Sequence, residues 1–252
     1  KIFERIHRGV DEVAKADPGA IKDAVRLKRT VPFMGEVLLG HLRYATFGKD
    51  GEENCHPRRR LNNWMTRNLV VAGNFNMTNV DELFELLVSI GQHPKERSDT
   101  MTVLEKIGHF LDVENDALAQ ECRKLGHSER QITETIAEKL DVQRILVNSA
   151  MDFDGGYALA GMLGHGDAFV LRDPAGIRPA FWYADEEVVV VASERPAIQT
   201  AFGLRTEAVQ ELKPGHALIV RKDGSYSEEL VREPLEKRAC SFERIYFSRG
   251  SD

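Results

Sequence analysis

Between Tyr157 and Val220 the chain offers only short apolar runs, Tyr157 to Leu163, Ala168 to Arg172, Phe181 to Tyr183, Val188 to Ala192 and Ala217 to Val220, bounded by clusters of turn residues. Runs this short and this punctuated read as strands of an antiparallel meander rather than as helices. Hairpin turns are expected at Gly164, His165, Gly166 and Asp167 and around Asp185. A short helix from Arg195 or Pro196 to Phe202 interrupts the strands, with proline near its first turn and Gly203 after its end.

The earlier half has a different period. Asn79 can cap a helix with Asp81 and Glu82 in its first turn and Leu83, Leu86, Leu87 and Ile90 on one face, stopped by Gly91. A second helix starts at Ser98 or Asp99 and turns Val103, Leu104, Ile107 and Leu111 inward; a third starts at Ser128, where Gln131 completes a capping box before Ile132, Ile136 and Leu140. Val37 to Gly40 and Asn68 to Ala72 read as further short strands.

With 252 residues, 42% of them hydrophobic, the chain can bury a substantial core, and without repeat or low-complexity linker it reads as one α+β domain. A formal charge of -6 argues against a nucleic-acid partner, and Arg58 to Arg60 read as a solvated loop. Cys55, Cys122 and Cys240 have neither zinc nor disulfide spacing and suit a reducing cytoplasm; they do not recommend an iron-sulfur cluster. No apolar run reaches the roughly 18 residues of a membrane span, and no leader is evident. The opening at Lys1, amid the amphipathic pattern of Ile2, Phe3 and Ile6, suggests a truncated start.

Three segments carry candidate chemistry. Gly40, His41, Leu42, Arg43, Tyr44, Ala45, Thr46 ends an apolar run on an arginine that can grip a carboxylate through parallel hydrogen bonds, or form a structural salt bridge. Gly73, Asn74, Phe75, Asn76, Met77, Thr78, Asn79 reads as a loop whose amides and backbone N–H groups can stabilise an oxyanion, or support a turn and a cap. Ser98 and Asp99 can be N-caps, or Asp99 can hold a ligand's ammonium group. Together Arg43, Asn74 and Asp99 describe a pocket for an α-amino acid attacked at a side-chain carbonyl.

At these residues the chain resembles the class II glutamine amidotransferases, members of the amino-terminal-nucleophile (Ntn) hydrolases. The family's Gly-His-x-Arg-Tyr-Ala-Thr segment falls on Gly40 to Thr46, its His-Asn-Gly-Asn-Leu-Thr-Asn loop on Gly73 to Asn79, and its Ser-Asp-Thr motif on Ser98 to Thr100. The resemblance implies substrate binding by Arg43, Thr46 and Asp99, and an oxyanion hole from Asn74 and the backbone N–H of Phe75. Two departures are plain: the loop's histidine is Gly73 and its glycine is Phe75. Arg172 to Pro179 resembles an Arg-Asp-Pro-x-Gly-Ile-Arg-Pro hairpin of the amidophosphoribosyltransferases, and Cys240 to Arg249 the passage into their phosphoribosyltransferase domain. The hairpin is read as structural, with Arg172 and Asp173 available to pair across it. The resemblance runs from about Gly35 to the end, apart from a longer helical stretch at about Asp112 to Asn148.

It implies a four-layer αββα sandwich with two antiparallel sheets, occupying 1–239, with 240–252 starting a linker. It also implies L-glutamine as substrate, and ammonia passed to phosphoribosyl pyrophosphate in purine synthesis at a further domain that takes magnesium. A homo-oligomer is implied; no cofactor or metal is expected in this domain, and no nucleic acid or membrane partner. The family's nucleophile is a cysteine at the mature amino terminus, activated by its own amine. It is expected upstream of Lys1, leaving this fragment inactive. A glucosamine-phosphate or asparagine synthetase type of amidotransferase, and a non-catalytic binding module on the same fold, are the alternatives.

Overall fold

The computed structural model describes residues 2–42, 55–243 and 245. It divides the chain into two compact units, Lys1–Leu39 and Gly40–Asp252.

In the first unit, helix α1 (Ile2–Ala16) buries none of its residues, and α2 (Ala24–Thr30) buries Leu27. Asp17 and Asp23 set the turn between them by accepting the N–H groups of Gly19 and Arg26, each at 3.0 Å. The strand expected at Val37 to Gly40 does not form: among the described residues no strand pairs with it, and Leu38 is 72% exposed.

The second unit is built from β1 (Arg58–Arg60), β2 (Leu69–Met77), α3 (Val80–Ser89), α4 (Asp99–Lys124), α5 (Glu129–Lys139), α6 (Val142–Ala150), β3 (Gly155–Leu163), β4 (Ala168–Arg172), β5 (Phe181–Ala184), β6 (Val189–Ala192), α7 (Arg195–Phe202), β7 (Gln210–Glu211), β8 (His216–Val220) and β9 (Tyr226–Leu230). A six-stranded sheet runs β1-β2-β3-β4-β8-β9 and a three-stranded sheet runs β6-β5-β7, every pairing antiparallel.

Because successive strand residues face opposite sides, each central strand serves two cores. Leu159, Phe169, Leu171 and Ile219 pack with Val103, Leu104, Ile107 and Leu111 of α4 and with Ile132, Ile136 and Leu146 of α5 and α6. Ala158, Val170 and Leu218, on the other face, pack with Ala180 and Trp182 of the smaller sheet. The far side of that sheet is covered by α7, where Tyr183 meets Phe202 and Arg195 lies 4.8 Å over the Phe181 ring. The four-layer αββα sandwich expected for the chain is therefore present. The stretch from Asp112 to Asn148 is woven into the larger core and is not an appended arm.

Capping chemistry explains most helix starts. Ser98 Oγ accepts the Met101 N–H, and Ser128 with Gln131 forms the full capping box. Asn79 occupies a cap position without capping: its carboxamide donates to Asp152 O (2.8 Å) and accepts from Asp154 N–H (3.3 Å), bracing the entry to β3 instead. Arg58 to Arg60, read as a solvated loop, form the edge strand β1. Arg60 is drawn in by Glu105 (3.2 Å) and Asp112 (2.5 Å), and Gly108 of α4 makes room, since a Cβ there would lie 2.5 Å from Arg60 Cδ. The expected single meander is split between the sheets at Asp173, whose carboxylate accepts the N–H groups of Ile177 and Arg178, each at 2.9 Å, and turns the chain out of the larger sheet.

Candidate functional site

The segment Gly73 to Met77, read as a loop, is the second half of strand β2, in register with β3 from Gly73 against Leu159 to Met77 against Gly155. Tyr157, opposite Phe75, spends its backbone on Asp173: Asp173 N–H donates to Tyr157 O at 2.8 Å, and Tyr157 N–H to Asp173 Oδ2 at 3.3 Å. The Phe75 and Tyr157 pair is therefore a non-hydrogen-bonded one, and the Phe75 N–H points to the opposite edge of β2.

Along that edge, side chains take over where β1 ends. Gly73 N–H donates to His56 Nδ1 at 3.2 Å, and Met77 N–H donates to Asp99 Oδ2 at 2.9 Å. The strand alternation sets the Phe75 N–H between these anchors. His56 Nε2 reaches Thr100 Oγ1 at 2.9 Å, and the His56 ring stacks on Phe75 with centroids 5.5 Å apart and meets the His41 ring, tilted by 43°, at 4.6 Å. Asp99 and Thr100 belong to the first turn of the 26-residue helix α4, whose positive end favours a carboxylate there.

The structure thus brings Phe75 and Asp99 to one edge. Asn74 projects from a sheet face and gives an amide hydrogen to Glu243 Oε1 at 2.8 Å. Glu243 is itself paired with Arg178 of the Arg172–Pro179 turn. Arg43 and Thr46 lie outside the described residues, although His41, two residues before Arg43, stands beside His56.

Within the turn, Arg172 and Asp173 do not pair with one another. Arg172 donates to the carbonyls of Arg178 (2.7 Å) and Leu212 (2.5 Å) and meets Glu211 at 2.8 Å, while Asp173 binds backbone N–H groups. Burial pushes the Tyr157 hydroxyl up to about 12, so it stays protonated at neutral pH and is no base for this edge. Of the cysteines, Cys55 is exposed, Cys122 buried and Cys240 intermediate; both ring nitrogens of His56 have partners other than the Cys55 thiol.

His56, Thr100 and Glu243 are the residues that reading by type passed over. No local pattern ties His56 to Gly73, 17 positions away.

No family model matches the chain. Among curated proteins, the amidophosphoribosyltransferase of Methanothermobacter thermautotrophicus is 27% identical over 242 residues, covering 96% of this chain and 44% of that protein. That of Bacillus subtilis is 30% identical over 217 residues, covering 85% and 38%. The chain is homologous to the amidophosphoribosyltransferases. It spans less than half the length of these two relatives, matching their amino-terminal part. Among solved structures, the glutamine phosphoribosylpyrophosphate amidotransferase of B. subtilis, complexed with ADP and GMP, superposes with a TM-score of 0.57 and 28% identity over 83% of this chain and 38% of that one. A second, described as the allosteric regulatory enzyme of purine biosynthesis, gives 0.59 and 28% over the same shares. The amidophosphoribosyltransferase likeness thus extends to the residues before Gly35, beyond the reach of the motifs alone.

Proposed function

We propose that this chain is the glutamine-hydrolysing domain of an amidophosphoribosyltransferase, supplying ammonia for phosphoribosylamine synthesis. The observation that carries the reading is the β2 edge, where the Phe75 N–H lies between the His56 and Asp99 anchors at the start of α4.

In this mechanism Arg43 and Thr46 hold the glutamine carboxylate end and Asp99, through its second oxygen, the ammonium group. A cysteine upstream of Lys1 supplies the nucleophile, with its own α-amine as base. The sulfur forms a bond to the side-chain carbonyl carbon, and the carbonyl π pair moves onto oxygen. The Phe75 N–H and the second amide hydrogen of Asn74 receive that charge where it develops, the point at which fixed dipoles lower a barrier most. Collapse of the tetrahedral adduct expels the nitrogen, which leaves as ammonia with the proton taken from the thiol. Water then cleaves the thioester to glutamate. The ammonia displaces pyrophosphate from phosphoribosyl pyrophosphate at a further domain that binds magnesium. Three unbridged cysteines suit a reducing cytoplasm, and a homo-oligomer belongs to the same amidotransferase reading.

A non-catalytic binding module is the second reading. It is favoured by the engagement of Asn74 with Glu243 and by the Phe75 side chain where the family keeps glycine. One experiment separates them: ammonia release from glutamine by the full-length protein with its native amino terminus, beside the variant with the upstream cysteine changed to alanine. Release that needs the cysteine and rises with phosphoribosyl pyrophosphate is expected. A folded full-length protein that releases none would favour the binding module.

A further inference from the structure

Strand β1 pairs with β2 only from Leu69 to Val71, and beyond it the β2 edge is held by side chains. At its start the acceptor is an imidazole. Since His56 Nδ1 accepts the Gly73 N–H, the neutral ring carries its proton on Nε2, which faces Thr100 Oγ1. The ring therefore bridges the strand edge and the first turn of α4, and its face packs on Phe75. Position 73 itself has no space for a side chain: a Cβ there would lie 2.5 Å from Ala158 O and 2.7 Å from Leu159 Cα.

We propose that His56 is a positioning residue for the oxyanion-binding edge, fixing the backbone before Phe75 and the Phe75 ring so that the Phe75 N–H meets the developing oxyanion. This rests on the amidotransferase reading. With Asp99 clamping Met77 N–H on the other side, the donor is held from both directions, and loosening one clamp lets it swing. A donor displaced by about 1 Å costs up to roughly a hundredfold in rate.

The test uses the full-length protein with its native amino terminus and two variants. His56→Leu keeps bulk but accepts no hydrogen bond; His56→Asn keeps an acceptor. His56→Leu is expected to lower kcat for glutamine hydrolysis about tenfold or more, with KM within about twofold, because the interaction belongs to the transition state. His56→Asn should recover most of the loss. Unchanged kcat in His56→Leu, a change confined to KM, or a loss that His56→Asn does not recover would each overturn the proposal. Amide hydrogen exchange at Gly73, whose N–H His56 accepts, is read on the same proteins. If the unmodified protein hydrolyses no glutamine, the amidotransferase reading fails and exchange alone judges the positioning. Protection lost in His56→Leu and kept in His56→Asn supports it; equal protection in all three overturns it.

Discussion

Gly73 lies in a paired strand, where glycine ordinarily weakens the structure. The near contacts a Cβ would make, with Ala158 O and Leu159 Cα, explain its presence. Gly73→Ala forces β2 and β3 apart and should destabilise the protein by on the order of 2 kcal/mol, read as a lower urea midpoint. Asp167 shows the same scale in polar terms. Burial alone would raise its pKa, yet His165, Arg221 and the Lys222 N–H together hold the carboxyl below the ordinary aspartate value. A depressed folded pKa contributes stability above the unfolded value of about 3.9, and that stability is lost as pH falls through the folded one. Asp167→Asn should therefore cost about 1–3 kcal/mol at neutral pH. In urea titrations across pH, the gap from the parent should close below about pH 4. Asn74 and Asp99 were legible as candidates because their types suit a polarised carbonyl and an amine, and Phe75 only through the resemblance of its loop. The pairing of Asn74 with Glu243, 169 positions away, was not, because contacts at that separation leave no local pattern.

Helices were legible where capping and period coincide. The box at Ser128 and Gln131 is formed as the spacing requires, and α5 turns Ile132 and Ile136 into the core. Ser128→Ala removes an acceptor for an otherwise unpaired helix N–H and should cost about 0.5–2 kcal/mol in thermal or urea unfolding. Asn79 had the right residue in the right place, but its side chain found a stronger tertiary use in Asp152 and Asp154. Arg58 to Arg60 failed in the opposite sense. Three arginines have no apolar face; pairing with β2 makes them a strand, with Arg58 held by Glu96 and Arg60 by Glu105 and Asp112 over the gap at Gly108. Val37 to Gly40 had the composition of a strand, but among the described residues no strand pairs with it.

At the scale of the molecule, the two cores lie on opposite faces of the same strands. Leu104 fills the one between α4 and the larger sheet, and Trp182 the one between the sheets. Truncating either leaves a cavity worth roughly 2–5 kcal/mol. Because β3, β4 and β8 belong to both cores, Leu104→Ala and Trp182→Ala should each lower one common unfolding transition, with fluorescence and circular dichroism midpoints coinciding. Midpoints that separate would mean that the sheets unfold independently. By itself the sequence determined α3, α4, α5 and α7, the short strands β3 to β6 and β8, and the caps at Ser98 and Ser128, since these depend on local periodicity and hydrogen-bonding chemistry. Only the tertiary structure decided which strands share a sheet, that the supposed oxyanion loop is a paired strand, and that His56 and Asp99 clamp its edge, because pairing partners and edge contacts are set by packing between segments far apart in the chain.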